Sequence, residues 1–301
     1  MTEKTSSGAA SSGLRREIGA AGSSVLVFNG LVGTGIFAAP AILLLDFGAF
    51  SPWLYPLFGL ITLTIVIGFA RAASLFEGTG GPVAYTRAAF GPLASFQVGW
   101  IYYVARVSSY AANALVFVAY AGALAPGIDS GAPRMALILG LIGGLSWLNA
   151  AGVRNAARAL DGVTLLKGLP LIVAALTGLF LFADRIPDPG PAPDLPALEA
   201  SALFIFYAFI GFETSVVPAG ETRDPTRTIP RMLVFTVCAT AALYFLIQYA
   251  YVTVMAGRDV EENVRPLVAF ADVLFGPIGG TVMAGTALVS VVGNSMGSML
   301  S

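Results

Sequence analysis

The sequence predicts an all-α integral membrane protein with an internal inverted repeat, and three observations lead to this fold class. Of the 301 residues, 56% are hydrophobic and only 11% are charged, whereas soluble domains carry about 25% charged residues. The mean hydropathy is +0.81, and long apolar stretches follow one another along the chain. Two short motifs of the first half recur in the second half. A chain with these properties is predicted to cross a membrane many times.

Eight stretches are apolar over enough residues to cross a bilayer, whose hydrocarbon core is about 30 Å thick and needs a helix of about 20 residues. We number them spans 1 to 8, and each is predicted to be helical because a spanning segment must satisfy its own backbone hydrogen bonds. They lie near residues 20–45, 51–70, 92–123, 133–150, 160–183, 200–219, 232–256 and 277–301.

The charged residues of the loops predict the orientation. Ten lysines and arginines fall on the side of the N-terminus and four fall on the other side, namely Arg134, Arg185, Arg258 and Arg265. Because positive loops stay in the cytoplasm, we expect a multi-pass protein of the cell membrane, inner or plasma, with a cytoplasmic N-terminus. Residues 1–14 are small and polar and are predicted to form a disordered tail, ahead of a transmembrane domain over residues 15–301.

Several classes of function are excluded by composition. The chain has no histidine and one cysteine, Cys238, so Cys/His metal sites, disulfide frameworks and Ser-His-Asp catalysis are excluded. The net charge of −1 and the absence of a basic run argue against nucleic-acid binding. We therefore predict no enzyme, no metal and no cofactor, and the lipid bilayer as a partner. The oligomeric state is not predicted.

Two motif pairs indicate the repeat. GTGIFAAPA (Gly33 to Ala41) in span 1 is echoed by GFETSVVPA (Gly211 to Ala219) in span 6, and FGPL from Phe90 is echoed by FGPI from Phe275. Each pair lies five spans apart, which is an odd number, so the two copies run in opposite directions through the membrane. Interrupted segments at matching places in inverted halves are typical of the binding site of a secondary transporter.

With these motifs in place, the chain resembles the amino acid-polyamine-organocation (APC) permeases. GTGIF in span 1, GTGGPVAYTRAAFGPL (Gly78 to Leu93) and FYAFIGFETSVVPAGETRDPTRTIPRM (Phe206 to Met232) carry the resemblance. The family implies a LeuT-like five-plus-five inverted-repeat fold with broken helices 1 and 6. The first repeat is then expected at about 15–185 and the second at about 198–301. Since the family has ten core spans and eight are present here, we expect an incomplete second repeat.

The glycines of span 1 have two interpretations. They either allow close helix packing or interrupt the helix and so free backbone groups. The recurrence of the motif in span 6 favours an interruption. At Gly33, the N–H groups and the positive dipole end of the following half-helix are suited to a carboxylate. The resemblance implies that Thr34 and Gly35 donate to the carboxylate of an amino acid.

The matching break in span 6 is expected to hold the other end of the substrate. The resemblance implies that the backbone carbonyls of Leu31, Tyr207 and Ile210, next to Gly211, accept from its amine. Tyr207 is an aromatic residue that either stacks on the substrate as a gate or packs in the core. A position in the substrate site follows from the resemblance alone.

Charged side chains deep in spans are costly, so each is a functional hypothesis. Lys167 lies about seven residues into span 5, roughly 10 Å along a helix. In proton-coupled relatives a lysine resembling it takes the place of the sodium ion of sodium-coupled relatives. We predict that it couples transport to protons, with snorkelling or a fixed ion pair as the alternatives.

Two more charged residues, Glu213 and Arg106, are predicted to lie near the substrate site. Glu213 follows the span 6 break, where it either caps the half-helix or relays a proton. Arg106 shares a helical face with Tyr103, Tyr110 and Asn113, a stripe expected to face the interior of the bundle. Arg106 either meets the substrate or pairs with Glu213, and the pairing is slightly favoured.

The function that follows is proton-coupled uptake of amino acids or related amines by alternating access, with the proton gradient as driving force. A neutral amino acid is favoured because Glu213 is the only acidic residue deep in the spans. Two alternatives stay open. One is an exchanger of one substrate for another, and the other is a membrane subunit that binds without transporting.

Overall fold

The computed structural model describes residues 28–76, 79–150, 153–215, 222, 224–261 and 263–299. The predicted N-terminal tail lies outside these residues. Nine α-helices of the described part organise the fold: α1 (Thr34–Phe47), α2 (Leu54–Ala73), α3 (Gly81–Leu124), α4 (Gly131–Ala150), α5 (Val153–Leu181), α6 (Leu195–Tyr207), α7 (Pro225–Met255), α8 (Pro266–Phe275) and α9 (Pro277–Met299). Three short 3₁₀ turns join some of them, at Gly48–Trp53, Ala183–Arg185 and Phe212–Ser215.

These helices correspond to the eight predicted spans, with one addition. Spans 1 to 7 fall on α1 to α7 and span 8 falls on α9, whereas α8 was not predicted. Five stretches of the described residues are long and apolar enough to cross a membrane, namely Thr34–Ala73, Gly81–Leu124, Gly131–Leu148, Thr226–Met255 and Pro277–Met296. The chain is thus a multi-pass membrane protein.

The repeated FGP motif forms the same backbone turn in both halves. Gly91 interrupts α3 with φ 83° and ψ −175°, and Gly276 separates α8 from α9 with φ 67° and ψ −166°. Only glycine adopts this combination readily, and the proline that follows it in each copy suits the first turn of a helix. In each half a short helix therefore meets a long one at a glycine elbow.

The long helices pack around α1. Helix α7 packs against α2 and α5, while α9 packs against α3, α5 and α8. Helix α1 contacts α3, α6, α7, α8 and α9, and most of its residues are buried. Helix α4 is at the edge, because only 6% of its spanning window is buried. The core of the bundle is therefore centred on α1.

Both predicted helix breaks are present. A helical turn at residues 28–31 ends before Gly33, whose N–H bonds back to Leu31 O at 2.8 Å, and α1 begins at Thr34. On the other side of the site, α6 ends at Tyr207 and the chain passes through Gly211, with φ 115°, into the turn at Phe212–Ser215. The Pro-Ala end of the second motif, Pro218 and Ala219, lies outside the described residues.

Candidate functional site

The two helix breaks lie against each other, backbone to backbone. A Cβ added to Gly35 would lie 2.8 Å from Ala208 Cα, just after the end of α6. A Cβ added to Gly211 would collide with the Gly30 carbonyl group. Glycine is required at both places because no side chain fits between the two backbones. The sequence motif of each half therefore meets its counterpart in space.

A small pocket lies at this contact, with about 20 Å³ of space for water-sized molecules, which is room for about one water. Its lining includes the predicted residues Leu31, Gly33, Thr34, Gly35, Tyr207, Ile210 and Gly211. Arg106 lines it as well, together with Ser109 and Asn294, which were not predicted. Breaks from two distant parts of the chain thus form one concave site.

The N-terminus of α1 lines this pocket. Gly33 is the N-cap residue, and no side chain of the described residues caps the helix there. The first N–H groups of a helix have no partner within it, and the helix dipole adds positive potential at the same end. The start of α1, at Thr34 and Gly35, is therefore suited to an anionic group such as a carboxylate.

Two of the three predicted amine acceptors, the carbonyls of Leu31 and Tyr207, already accept hydrogen bonds. Leu31 O accepts from the Tyr244 hydroxyl at 2.7 Å and from Gly33 N at 2.8 Å. Tyr207 O accepts from Ile210 N at 3.2 Å. The side chain of Ile210 is 50% exposed. A bound amine at Leu31 O would have to share or displace one of these hydrogen bonds, because a carbonyl oxygen has two lone pairs.

Arg106 and Glu213 form an ion pair at the edge of the pocket. Arg106 Nη2 donates to Glu213 Oε1 at 2.8 Å, and both side chains are 12% exposed. Glu213 Oε2 accepts from Gly211 N at 3.0 Å, so the carboxylate also satisfies a backbone group of the break. The predicted alternative of pairing between the two residues is therefore the one that the structure contains.

The predicted polar stripe on α3 is partly wrong. Arg106 and Tyr110 are partly buried and Asn113 is buried, but Tyr103 is 60% exposed and stacks on Trp100. The Arg106 guanidinium instead contacts Tyr102, one turn earlier. Positions three and four residues apart both neighbour a helical residue, and here the position four residues away faces the interior.

Lys167 on α5 is fully buried, with no exposed surface. Its Nζ donates to Asn29 Oδ1 at 2.6 Å, to Val32 O at 2.7 Å and to Asn29 O at 3.1 Å. The side chain therefore does not snorkel to the surface. Its three acceptors are neutral oxygen atoms of the segment just before α1, so all three ammonium hydrogens have partners.

Buried polar residues from other helices complete the site, and the sequence analysis did not predict them. Ser290 on α9 donates to Val32 O at 3.0 Å, and Tyr244 on α7 reaches Leu31 O. Asn29 donates to Gly293 O at 2.8 Å. A polar residue isolated in an apolar span is the signal that identifies such positions, since a buried polar group needs a partner.

Comparison with known proteins gives consistent results. A family model described as amino acid permease matches residues 18–301. The L-methionine/branched-chain amino acid exporter YjeH of Escherichia coli is 28% identical over 239 residues, covering 78% of this chain and 56% of that protein. The large neutral amino acids transporter small subunit 2 of Oryctolagus cuniculus is 27% identical over 314 residues, covering 98% of this chain and 57% of that protein. The chain spans little more than half the length of these relatives.

The fold has a counterpart among solved structures. The crystal structure of MhsT in complex with L-phenylalanine superposes with a TM-score of 0.64, at 16% identity, over 92% of this chain and 71% of that one. This confirms the predicted LeuT-like, all-α transporter fold. Since the family model covers nearly the whole chain, the predicted resemblance is confirmed as well: the chain belongs to the amino acid permease family of the APC superfamily, which consists of transporters rather than enzymes.

Proposed function

We propose that this chain provides the substrate site of a secondary active transporter that moves a neutral amino acid by alternating access. The observation that carries the proposal is the meeting of the two helix breaks at one pocket, which must widen to admit an amino acid. Broken helices from two inverted halves provide free backbone groups inside a membrane without exposing them to lipid. Such groups replace the hydration that a zwitterion loses there.

The charges of the site support a neutral amino acid as the substrate class. The uncapped start of α1 suits the carboxylate, and backbone carbonyls near the end of α6 suit the ammonium. Arg106, the cation of the pocket lining, is balanced by Glu213 at 2.8 Å, so the pair adds no net charge for a charged side chain to match. The names of the two relatives, for L-methionine and branched-chain or large neutral amino acids, agree with this class.

The coupling of uptake to protons through Lys167 is supported by its contacts. A protonated amine donates three hydrogen bonds and a neutral amine donates two. Deprotonation of Lys167 therefore removes one of its three hydrogen bonds to Asn29 and Val32. These acceptors lie just before the break at Gly33, so protonation changes how firmly α5 holds the substrate site.

Uptake by the chain in proteoliposomes tests the proposal. Radiolabelled L-methionine is supplied outside, with or without a pH gradient that is alkaline inside. We expect the gradient to stimulate uptake, and Lys167→Ala to reduce uptake to the level measured without the gradient. The matched control is Arg134→Ala, which removes an exposed positive charge at the start of α4 and is expected to retain the stimulation.

Three other outcomes would each contradict a part of the proposal. Full gradient-driven uptake by Lys167→Ala would exclude this residue as the proton carrier. Uptake that requires amino acid inside the vesicles, whatever the gradient, would identify an exchanger. Binding of L-methionine without flux would identify a subunit that binds without transporting.

A further inference from the structure

Two buried asparagines connect Lys167 to the pocket, Asn113 on α3 and Asn294 on α9, of which Asn294 lines the pocket. Their side chains are 2% and 7% exposed, and buried amides of this kind need hydrogen-bond partners. The proposed function assigns no role to either of them. Their contacts form an unbroken line from the Lys167 amine to the hydroxyl groups of Thr34 and Tyr207.

The line begins at a backbone carbonyl that Lys167 and Asn294 share. Lys167 Nζ and Asn294 Nδ2 both donate to Asn29 O, at 3.1 and 3.2 Å. Asn294 Nδ2 also donates to Gly30 O at 2.7 Å. Because a carbonyl oxygen only accepts, these two bonds fix the orientation of the Asn294 amide. The Oδ1 atom of Asn294 is therefore left to accept from α3.

That orientation determines each later hydrogen bond. Asn113 Nδ2 donates to Asn294 Oδ1 at 3.0 Å, so Asn113 Oδ1 is the atom that accepts from Thr34 Oγ1 at 2.9 Å. The single hydrogen of the Thr34 hydroxyl is used in this bond. The Tyr207 hydroxyl, 3.1 Å from Thr34 Oγ1, is then the donor of their pair. Both hydroxyl oxygens consequently offer lone pairs, rather than hydrogens, to a substrate.

Asn294 also contacts the break directly. A Cβ added to Gly33 would lie 2.6 Å from Asn294 Nδ2 and 2.9 Å from its Cγ, so the amide lies directly against the glycine. A displacement of Gly33 when a substrate binds must therefore move the Asn294 amide. The same amide shares Asn29 O with Lys167, so the displacement reaches the lysine.

Resting on the proposed function, we propose that Asn294 is a positioning residue that couples Lys167 to the substrate through Asn113, Thr34 and Tyr207. Asn294 acts by orienting these groups, and we call the four residues the amide relay. The relay makes the affinity for substrate depend on the bonds that Lys167 forms with the segment before α1. From Tyr207 through Thr34 and Asn113 to Asn294 each group donates to the next, so these bonds reinforce one another. Lys167 and Asn294 instead compete for the lone pairs of Asn29 O, so a change in one of these two bonds changes the other.

A double-mutant cycle tests the relay. The dissociation constant of L-methionine, or of another proteinogenic amino acid where L-methionine does not bind, is measured on the purified chain in detergent. We expect Lys167→Met to weaken binding about tenfold in the wild-type background, within the usual range of coupling between sites. In the Asn294→Ala background the same change is expected to have an effect of about twofold or less. Asn113→Leu, which breaks the next link, is expected to behave in the same way and replaces Asn294→Ala if that variant does not fold.

Gln248→Ala is the matched control. Gln248 is a fully buried amide on α7 that also holds α1, through Pro40 O at 3.1 Å, but it lies outside the pocket lining. We expect this variant to lose stability and to retain the full effect of Lys167→Met on binding. If Asn294 had only a structural role, Lys167→Met would weaken binding by the same factor in the Asn294→Ala and Gln248→Ala backgrounds.

The possible outcomes separate the relay from the proposed function. An equal effect of Lys167→Met with and without Asn294, or no effect of Lys167→Met on binding in the wild type, would overturn the relay while amino acid binding persists. A wild-type chain that binds none of the proteinogenic amino acids would instead overturn the proposed function.

Discussion

Arg106 is the arginine of α3 that lies in the membrane, and its position is explained by its neighbours. The guanidinium donates to Glu213 at 2.8 Å and contacts the Tyr102 ring and hydroxyl. Glu213 in turn accepts from the backbone of Gly211. One carboxylate thus balances a cation on α3 and stabilises the break after α6. The ion pair links two elements that are distant in sequence at the edge of the pocket.

We predict that Glu213→Gln lowers the free energy of unfolding by about 2 kcal/mol, between the values for exposed and buried pairs. The substitution retains the shape of the side chain but leaves the Arg106 charge without its carboxylate. Arg106→Met combined with Glu213→Gln should cost less than the sum of the single changes, by roughly 1 kcal/mol or more. Reversible unfolding in mixed micelles measures these differences.

The control for this cycle is Arg134→Met, which changes an exposed arginine at the start of α4. It should alter the free energy of unfolding by no more than about 0.5 kcal/mol. Strictly additive effects of Arg106→Met and Glu213→Gln would show that the ion pair contributes nothing to stability.

Prediction from sequence reached the right helix face for Arg106 but the wrong tyrosine. Tyr103 and Tyr102 lie three and four residues before Arg106, and both positions are neighbours on a helix. The choice between them depends on where α3 meets the rest of the bundle. That contact is tertiary, so the pattern along α3 alone does not contain it.

The two glycine elbows show the repeat at the level of whole elements. Gly91 and Gly276 share a backbone conformation that is nearly exclusive to glycine, and each joins a short helix to a long one. No heavy atom of the described residues lies within 4 Å of a Cβ added at either glycine. Alanine at these positions therefore meets backbone strain rather than a clash with this part of the chain.

We expect Gly91→Ala and Gly276→Ala to destabilise the protein by similar amounts, about 1 to 3 kcal/mol each. Thermal unfolding of the purified variants measures the effect. Gly140→Ala is the matched control, because this glycine lies within α4 and no heavy atom of the described part of the chain is within 4 Å of an added Cβ. There alanine should be neutral or stabilising by up to about 1 kcal/mol. A clear loss at one elbow and none at the other would argue against a shared structural role.

The short helix α8 shows what the sequence did not reveal about elements. It has ten residues, Pro266–Phe275, about half the length needed to cross a bilayer. A helix of this length does not have the sequence pattern of a span, although the FGPI motif lies at its end. The corresponding helix of the first half, before Gly91, was also left out of span 3 for the same reason.

At the scale of the whole molecule, the distribution of arginine predicts which side of the membrane each loop faces. Arg87 and Arg134 are both exposed and lie on opposite sides in the predicted orientation. Cys238 is the only cysteine, so Cys238→Ser gives a background without thiols. A new cysteine at either arginine position then reports its side.

In intact cells, a maleimide that does not cross membranes should label Arg134→Cys. Arg87→Cys should be labelled only after permeabilisation, because a cytoplasmic N-terminus places this loop inside. Labelling in the reverse pattern would overturn the predicted orientation, and labelling of both in intact cells would show that one loop is not where the spans predict.

Much of the site was visible in the sequence, because its chemistry is local. The breaks at Gly33 and Gly211 were marked by repeated glycines, and Lys167 was marked by its depth in a span. Asn294 was not identified, although it contacts Gly33 and Gly30 O. Its importance depends on α9 lying beside the start of α1, which is a property of the assembled bundle rather than of any segment.

The contact between the two breaks also has a mechanical consequence. Gly35 lies against Ala208 and Gly211 against Gly30 with no long side chain between them. A side chain at such a contact could change its rotamer and absorb a displacement. Two backbones in direct contact cannot do so, and packed interiors have low compressibility. The contact between the two halves is therefore stiff beside the pocket, so a small movement of one half displaces the other.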